Sequence, residues 1–130
     1  AYRQTAAMPC ISKKECNMNP LKKYCEYLGN KNLDTLCGLF ADEFVFDDRG
    51  GQDLGRPPFI VEGQEAYRKA MAAVFAAPGT WEVKFLGAAY GNAVYYDVRR
   101  GDTVLPCVGV CRTNAEGKIT EYRVFVREPE

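Results

Sequence analysis

The sequence predicts an α+β fold: three helices packed in a strongly curved antiparallel or mixed sheet, forming a conical α+β barrel with an internal cavity. Three observations predict it. Apolar residues recur at helical spacing through much of the first half, and they alternate at strand spacing through the second. The inward rows of those strands combine large apolar side chains with a few polar groups, which is the composition of a cavity wall.

The first helix is predicted from Asn19 to Leu28. An Asn-Pro start precedes Leu21, Tyr24, Cys25 and Leu28 on one face, and Gly29 stops the run. Leu33, Leu36, Cys37 and Phe40 repeat the pattern after a turn at Asn30, giving a second short helix. Phe44 to Phe46 read as a strand ending at Asp47-Asp48, and the glycines and prolines of RGGQDLGRPP mark a loop. A third helix follows Gly63, with Ala66, Ala70, Val74 and Phe75 as its apolar side and Ala77-Pro78-Gly79 as its end. Trp81–Ala89, Ala93–Arg99 and Val104–Thr113 are the next strands. Asn114 to Gly117 form a hairpin turn, and Lys118–Arg127 is the last strand. Residues 1–18 read as an N-terminal extension, of which AYRQTAA has the look of a leader or tag, and 19–130 as one domain.

At 130 residues with 47% hydrophobic content, the chain has enough material for one core and too little for two. Seventeen basic and seventeen acidic residues leave no net field, which argues against nucleic acid or an anionic membrane surface as partner. The apolar runs fall short of the ~20 residues of a membrane span. Six cysteines, Cys10, Cys16, Cys25, Cys37, Cys107 and Cys111, sit mostly among apolar residues without a CxxC pair, so buried reduced thiols in a cytoplasmic protein are expected. Cys107 and Cys111 lie ~13 Å apart along a strand and do not reach each other; a pairing of Cys10 or Cys16 with another thiol stays open. No histidine occurs anywhere. That removes Ser/His, Cys/His and His-metal mechanisms together, and no metal site is expected.

Acid-base chemistry then falls to carboxylates, tyrosines, lysines or thiols. If Asp48 points inward, alternation turns Phe44 and Phe46 inward with it, and Val45 and Asp47 outward. Trp81, Val83 and Phe85 share a face of their strand, as do Tyr96 and Val98 with Val94, and Tyr122 and Val124 with Val126. Cys107, Gly109 and Cys111 form another inward row. The opposite faces, with Asp97, Arg99, Glu121 and Arg123, suit solvent or a dimer contact, and Asp97 with Arg99 reads as a surface ion pair. A carboxylate in an apolar cavity loses hydration and becomes a stronger base for a proton beside a carbonyl, while a tyrosine O–H stabilises the resulting enolate. Asp48 and Tyr24 are the candidate catalytic pair. Each also has a structural reading: Asp48 opens a glycine-rich loop, where aspartates cap turns, and Tyr24 on an apolar helix face suits a core tyrosine.

The segments FADEFVFDD (40–48), EGQEAYRKAM (62–71) and NAEGKITEYRVF (114–125) carry a resemblance to the nuclear transport factor 2-like superfamily, which includes ketosteroid isomerase, limonene epoxide hydrolase and the SnoaL-like polyketide cyclases. It extends over about Pro20 to Glu128. The resemblance places the general base of ketosteroid isomerases on Asp48 and their hydrogen-bonding tyrosine on Tyr24. It also shows departures. Gly109 stands where those isomerases carry a protonated aspartate, a donor worth ~3 kcal/mol of barrier. Val124, Val98 and Arg100 stand where epoxide hydrolases carry an Asp-Arg-Asp set. The resemblance therefore implies a cofactor-independent isomerase, cyclase or lyase acting on a small hydrophobic carbonyl compound, with a homodimer formed through the outer sheet face. The alternatives are a non-catalytic ligand-binding or dimeric scaffold module of the same fold, or an epoxide-hydrolase-like enzyme with a non-standard site. Specificity would depend on cavity volume and on the loop from Arg49 to Glu62.

Overall fold

In a computed structural model the described residues are 20–49, 57 and 59–127. The extension 1–18, Cys10, Cys16 and nearly all of the RGGQDLGRPP loop lie outside them. Helices α1 (Pro20–Gly29), α2 (Leu33–Cys37) and α3 (Gln64–Ala76) pack against one sheet made of β1 (Phe40–Asp48), β2 (Phe59–Glu62), β3 (Trp81–Ala89), β4 (Ala93–Arg100), β5 (Thr103–Thr113) and β6 (Ile119–Val126). The strand order is β2-β1-β6-β5-β4-β3. All neighbours are antiparallel except β1 and β6, which run parallel. The sheet is mixed and not closed, so the expected barrel is an open cone.

The α1 face is as expected: Leu21, Tyr24, Cys25 and Leu28 are its buried residues. Three elements differ from expectation. Helix α2 ends at Cys37, and Phe40 already belongs to β1, paired with Ile119. Its apolar side chain serves the core equally well from a strand, which is why helical spacing ran on through it. Residues 59–62 form a strand, β2, whose Phe46↔Val61 and Asp48↔Phe59 pairings shield the outer edge of β1; with only Val61 of the four buried, no alternation announced it. In α3 the buried positions are Tyr67 and Met71, with Ala66 exposed and Ala70, Val74 and Phe75 half-buried. The helix is rotated so that its larger side chains fill the cone, which removes more apolar surface from water than alanines would.

The hairpin between β5 and β6 forms where expected. Asn114 Oδ1 accepts from the Glu116 and Lys118 amides, both at 3.0 Å, and Gly117 takes φ +81°. That left-handed conformation is the one glycine adopts at least cost. Asp97 and Arg99 do not pair with each other. Asp97 meets Arg127 at 2.7 Å, and Arg99 meets its cross-strand neighbour Glu82 at 3.8 Å. No helix among the described residues is long and apolar enough to cross a membrane.

Candidate active site

Helices α1 and α3 and strands β1 to β6 line a cavity of about 490 Å³. Its deep wall consists of Tyr24, Leu28, Phe46, Met71, Tyr96, Cys107 and Val124, all buried. Asp48, Val74, Trp81, Val98, Arg100 and Leu105 are half-buried, and Phe59 and Thr103 are exposed and mark the mouth.

Each polar group is held by its element. Asp48 ends β1, on the face of Phe44 and Phe46, while Asp47 turns to the other face. There Asp47 accepts from Arg49 Nε at 2.7 Å and Nη2 at 3.0 Å, with Arg123 at 4.0 Å. The Arg49 hydrogen bond holds the Asp47 carboxyl below the ordinary carboxylate range, against the opposing effect of burial. Adjacent aspartates thus have separate tasks: Asp47 belongs to an outer ion-pair group and Asp48 to the cavity.

Tyr24 projects from α1 into a cluster of aromatic rings. Its ring centroid lies 4.6 Å from that of Tyr122 and 6.5 Å from that of Tyr96. The Tyr67 hydroxyl donates to that of Tyr24 at 3.3 Å, so the Tyr24 proton remains available to another acceptor. A second pair, Tyr96 and Tyr122, shares a hydrogen bond of 2.6 Å. Burial pushes all four phenols above their ordinary range. They are donors, not anions, at neutral pH. The charge of Asp48 adds to the rise at Tyr67 and Tyr96, which places the carboxylate within electrostatic reach of both hydroxyl pairs.

Among the described cysteines, Cys107 lines the cavity and the others pack in the core around it. Burial first, then the charge of Asp48, pushes the Cys107 thiol up to about 12; burial raises Cys25 to about 12 and Cys111 to about 11. Cys25, Cys37, Cys107 and Cys111 are free and buried. Such thiols are poor nucleophiles, because the thiolate is the reactive form.

Of the sequence-predicted positions, Tyr24, Asp48, Phe46, Trp81, Tyr96, Val98, Cys107 and Val124 line this one cavity. The others do not. Phe44 stacks on Phe40 at 4.1 Å in the core beside Tyr67. Val83 packs against Gly29 of α1. Phe85 is exposed beneath the Lys22 ammonium, next to a bulge between Phe85 and Gly87 that breaks the alternation of β3. Gly109 is covered by the Tyr122 ring, which a Cβ there would strike, and Tyr122 and Cys111 are buried without reaching the cavity. Sequence reasoning missed Tyr67, Phe59, Met71 and the two groups at the mouth, Arg100 and Thr103. The i, i+4 spacing of Tyr67 and Met71 carried the signal for the first helical pair.

Comparisons with known proteins agree with this architecture. A family model described as a SnoaL-like domain matches residues 21–122. No curated protein matches the chain. Among solved structures, a SnoaL-like protein of unknown function from Burkholderia thailandensis E264 superposes with TM-score 0.68 at 12% identity, covering 91% of this chain and 99% of that one. A protein provisionally named a ketosteroid isomerase, from Kribbella flavida DSM 17836, gives 0.64 at 18% identity, covering 85% and 76%. An NTF2-like protein of unknown function from Cytophaga hutchinsonii ATCC 33406 gives 0.63 at 15%, covering 93% and 95%. Identities this low speak to fold and not to activity. With the family match spanning most of the chain and the open six-stranded cone around it, the chain belongs to the SnoaL-like domain family of the nuclear transport factor 2-like superfamily.

Proposed function

We propose that the cavity is the site of a cofactor-independent enzyme that removes a proton beside the carbonyl of a small hydrophobic compound. The observation that carries this reading is that Tyr24 and Asp48, from a helix and a strand, line the same ligand-sized space. Asp48 takes the carbon-bound proton, the C–H electron pair becomes the enolate, and Tyr24 donates its O–H to the enolate oxygen. Tyr67 holds that phenol by donating to it. Returning the proton to another carbon shifts a double bond; attack of the enolate on a second carbonyl closes a ring; loss of a group beside it is an elimination.

The test is binding of a steroid phenol, an enolate mimic, followed by calorimetry and by the titration of Asp48. Binding should weaken at least tenfold in an Asp48→Asn, Tyr24→Phe double variant, in line with the loss of hydrogen bonds to a charged group. Unchanged binding in that variant sinks the assignment. Turnover of a responsive substrate should fall about 100-fold or more in Asp48→Asn alone.

A second reading, a dimeric scaffold or ligand carrier without catalysis, draws on the outer face of the sheet. Tyr95, Val108 and Phe125 pair across β4, β5 and β6 in one row, and Val110 lies beside it. Tyr95, Val110 and Phe125 are exposed apolar side chains. A homodimer through this face suits either reading, and turnover separates them.

A further inference from the structure

Arg100 stands at the cavity mouth in an environment no other arginine among the described residues shares. Each of the other arginines among the described residues has a carboxylate within 4.0 Å. Arg100 has none there. Its Nη1 donates to the carbonyls of Ala77 at 3.0 Å and Pro78 at 3.4 Å, and its Nη2 to that of Val74 at 2.7 Å. Its guanidinium also lies 4.8 Å from the Trp81 ring centroid. These contacts fix the group at the C-terminal end of α3, where carbonyl dipoles favour a cation, without cancelling its charge. Nη1 and Nη2 carry all of these hydrogen bonds, and Nε–H has no protein acceptor among the described residues; Nε together with Nη2 is the side-on pair that receives a planar carboxylate. Asp47 and Arg49 show that fork in use on the outer face.

We propose that the ligand of this cavity is a hydrophobic oxo acid, whose carboxylate is received by Arg100 at the mouth while its reacting carbonyl lies at Tyr24. This rests on the cavity being the ligand site described above. The two charged groups among the described wall residues then divide the ligand between them: Asp48 faces the carbon acid, and Arg100 selects for the anion. A mostly apolar cavity with Arg100 at its mouth prefers a monoanionic amphiphile over its neutral ester, because the ester leaves a half-buried cation without an anionic partner.

The probe is 6-hydroxy-2-naphthoate, a phenol with a carboxylate at the far end, set against its methyl ester and against 6-hydroxynaphthalene-2-sulfonate. Titration calorimetry of the full chain should show the carboxylate binding about tenfold more tightly than the ester, as one charge-assisted bidentate pair predicts, and more tightly than the sulfonate. In Arg100→Gln the acid-to-ester preference should fall to about twofold or less. In Tyr24→Phe both ligands should weaken together and the preference should persist, so that failure of the Tyr24–Asp48 assignment is seen separately from failure of the Arg100 assignment. A wild-type protein that binds acid and ester equally, or that binds neither, overturns the proposal. A preference that survives in Arg100→Gln, or tighter binding of the sulfonate, overturns it too. Arg100 also caps α3, so the wild-type ratio measured at rising ionic strength provides a test that needs no variant: it should shrink, and a constant ratio counts against Arg100.

Discussion

Tyr67 shows how much one side chain decides at the residue scale. It is fully buried, stacks edge-on against Phe40, Phe44 and Phe46, and gives its hydroxyl proton to Tyr24. Tyr67→Phe keeps the ring and removes that donor, so the Tyr24 hydroxyl loses its orientation. Phenol binding should weaken several-fold, and stability should drop by about 1 kcal/mol, as one net hydrogen bond is worth; denaturant unfolding read beside calorimetry checks both. Asp47 makes a different prediction. Its carboxyl is held below the ordinary range, so the stability it contributes is complete above the unfolded carboxylate value of about 4 and fades as pH falls through the lower folded value. Asp47→Asn should therefore melt lower than wild type at pH 7, and the gap in Tm should close toward pH 3. The buried thiols work in the opposite direction. Cys25 and Cys107 are raised to about 12, so their contribution is complete below the ordinary thiol value near 8.5 and is lost as pH climbs toward 12. Melting curves from pH 7 to pH 11 should show stability falling above pH 9, with thiol labelling of the native protein slow throughout.

Individual elements differ in how far the sequence disclosed them. The α1 stripe and the Asn114 to Gly117 turn were legible because local chemistry alone specifies them: helical spacing in one, a side-chain acceptor and a left-handed glycine in the other. Strand β2 and the early start of β1 were not, because Phe40 pairs with Ile119 far along the chain and β2 buries only Val61, too few residues to show alternation. The true lining of β3 was hidden too: Phe85 keeps the register of Trp81 and Val83 yet is exposed, beside a bulge that follows it. Gly109 on β5 carries the sharpest prediction at this scale. Its missing side chain is the space that the Tyr122 ring fills, and Tyr122 in turn holds Tyr96 at the cavity wall. Gly109→Ala should cost about 1–3 kcal/mol through overpacking, seen as a lower midpoint in urea. An aspartate there, the residue ketosteroid isomerases use, would displace Tyr122 further.

For the whole molecule, the open edge order β2-β1-β6-β5-β4-β3 leaves one face of the sheet around the helices and the other outward. The inner face was legible as alternating rows, and the position of Asp48 at the end of β1 followed from them. Arg100 was not legible as a mouth residue, since a terminal strand position says nothing about which helix end it will meet. On the outer face, the proposed homodimer predicts that wild type sediments as a dimer and Phe125→Glu as a monomer, with the far-ultraviolet spectrum unchanged, because Phe125 is 41% exposed and contributes little to the core.

Trp81 is the chain's single tryptophan, and it stands in the cavity wall with its indole Nε1 donating to Leu28 O at 2.9 Å and a guanidinium across its face. The protein therefore carries its own optical reporter. Excited selectively, its emission originates at the mouth and nowhere else, and Tyr24 and Tyr96 across the cavity can feed it by energy transfer. Ligand entry, exchange of water for apolar contacts, or loss of the Arg100 stacking would each change the colour or yield of that light without any label.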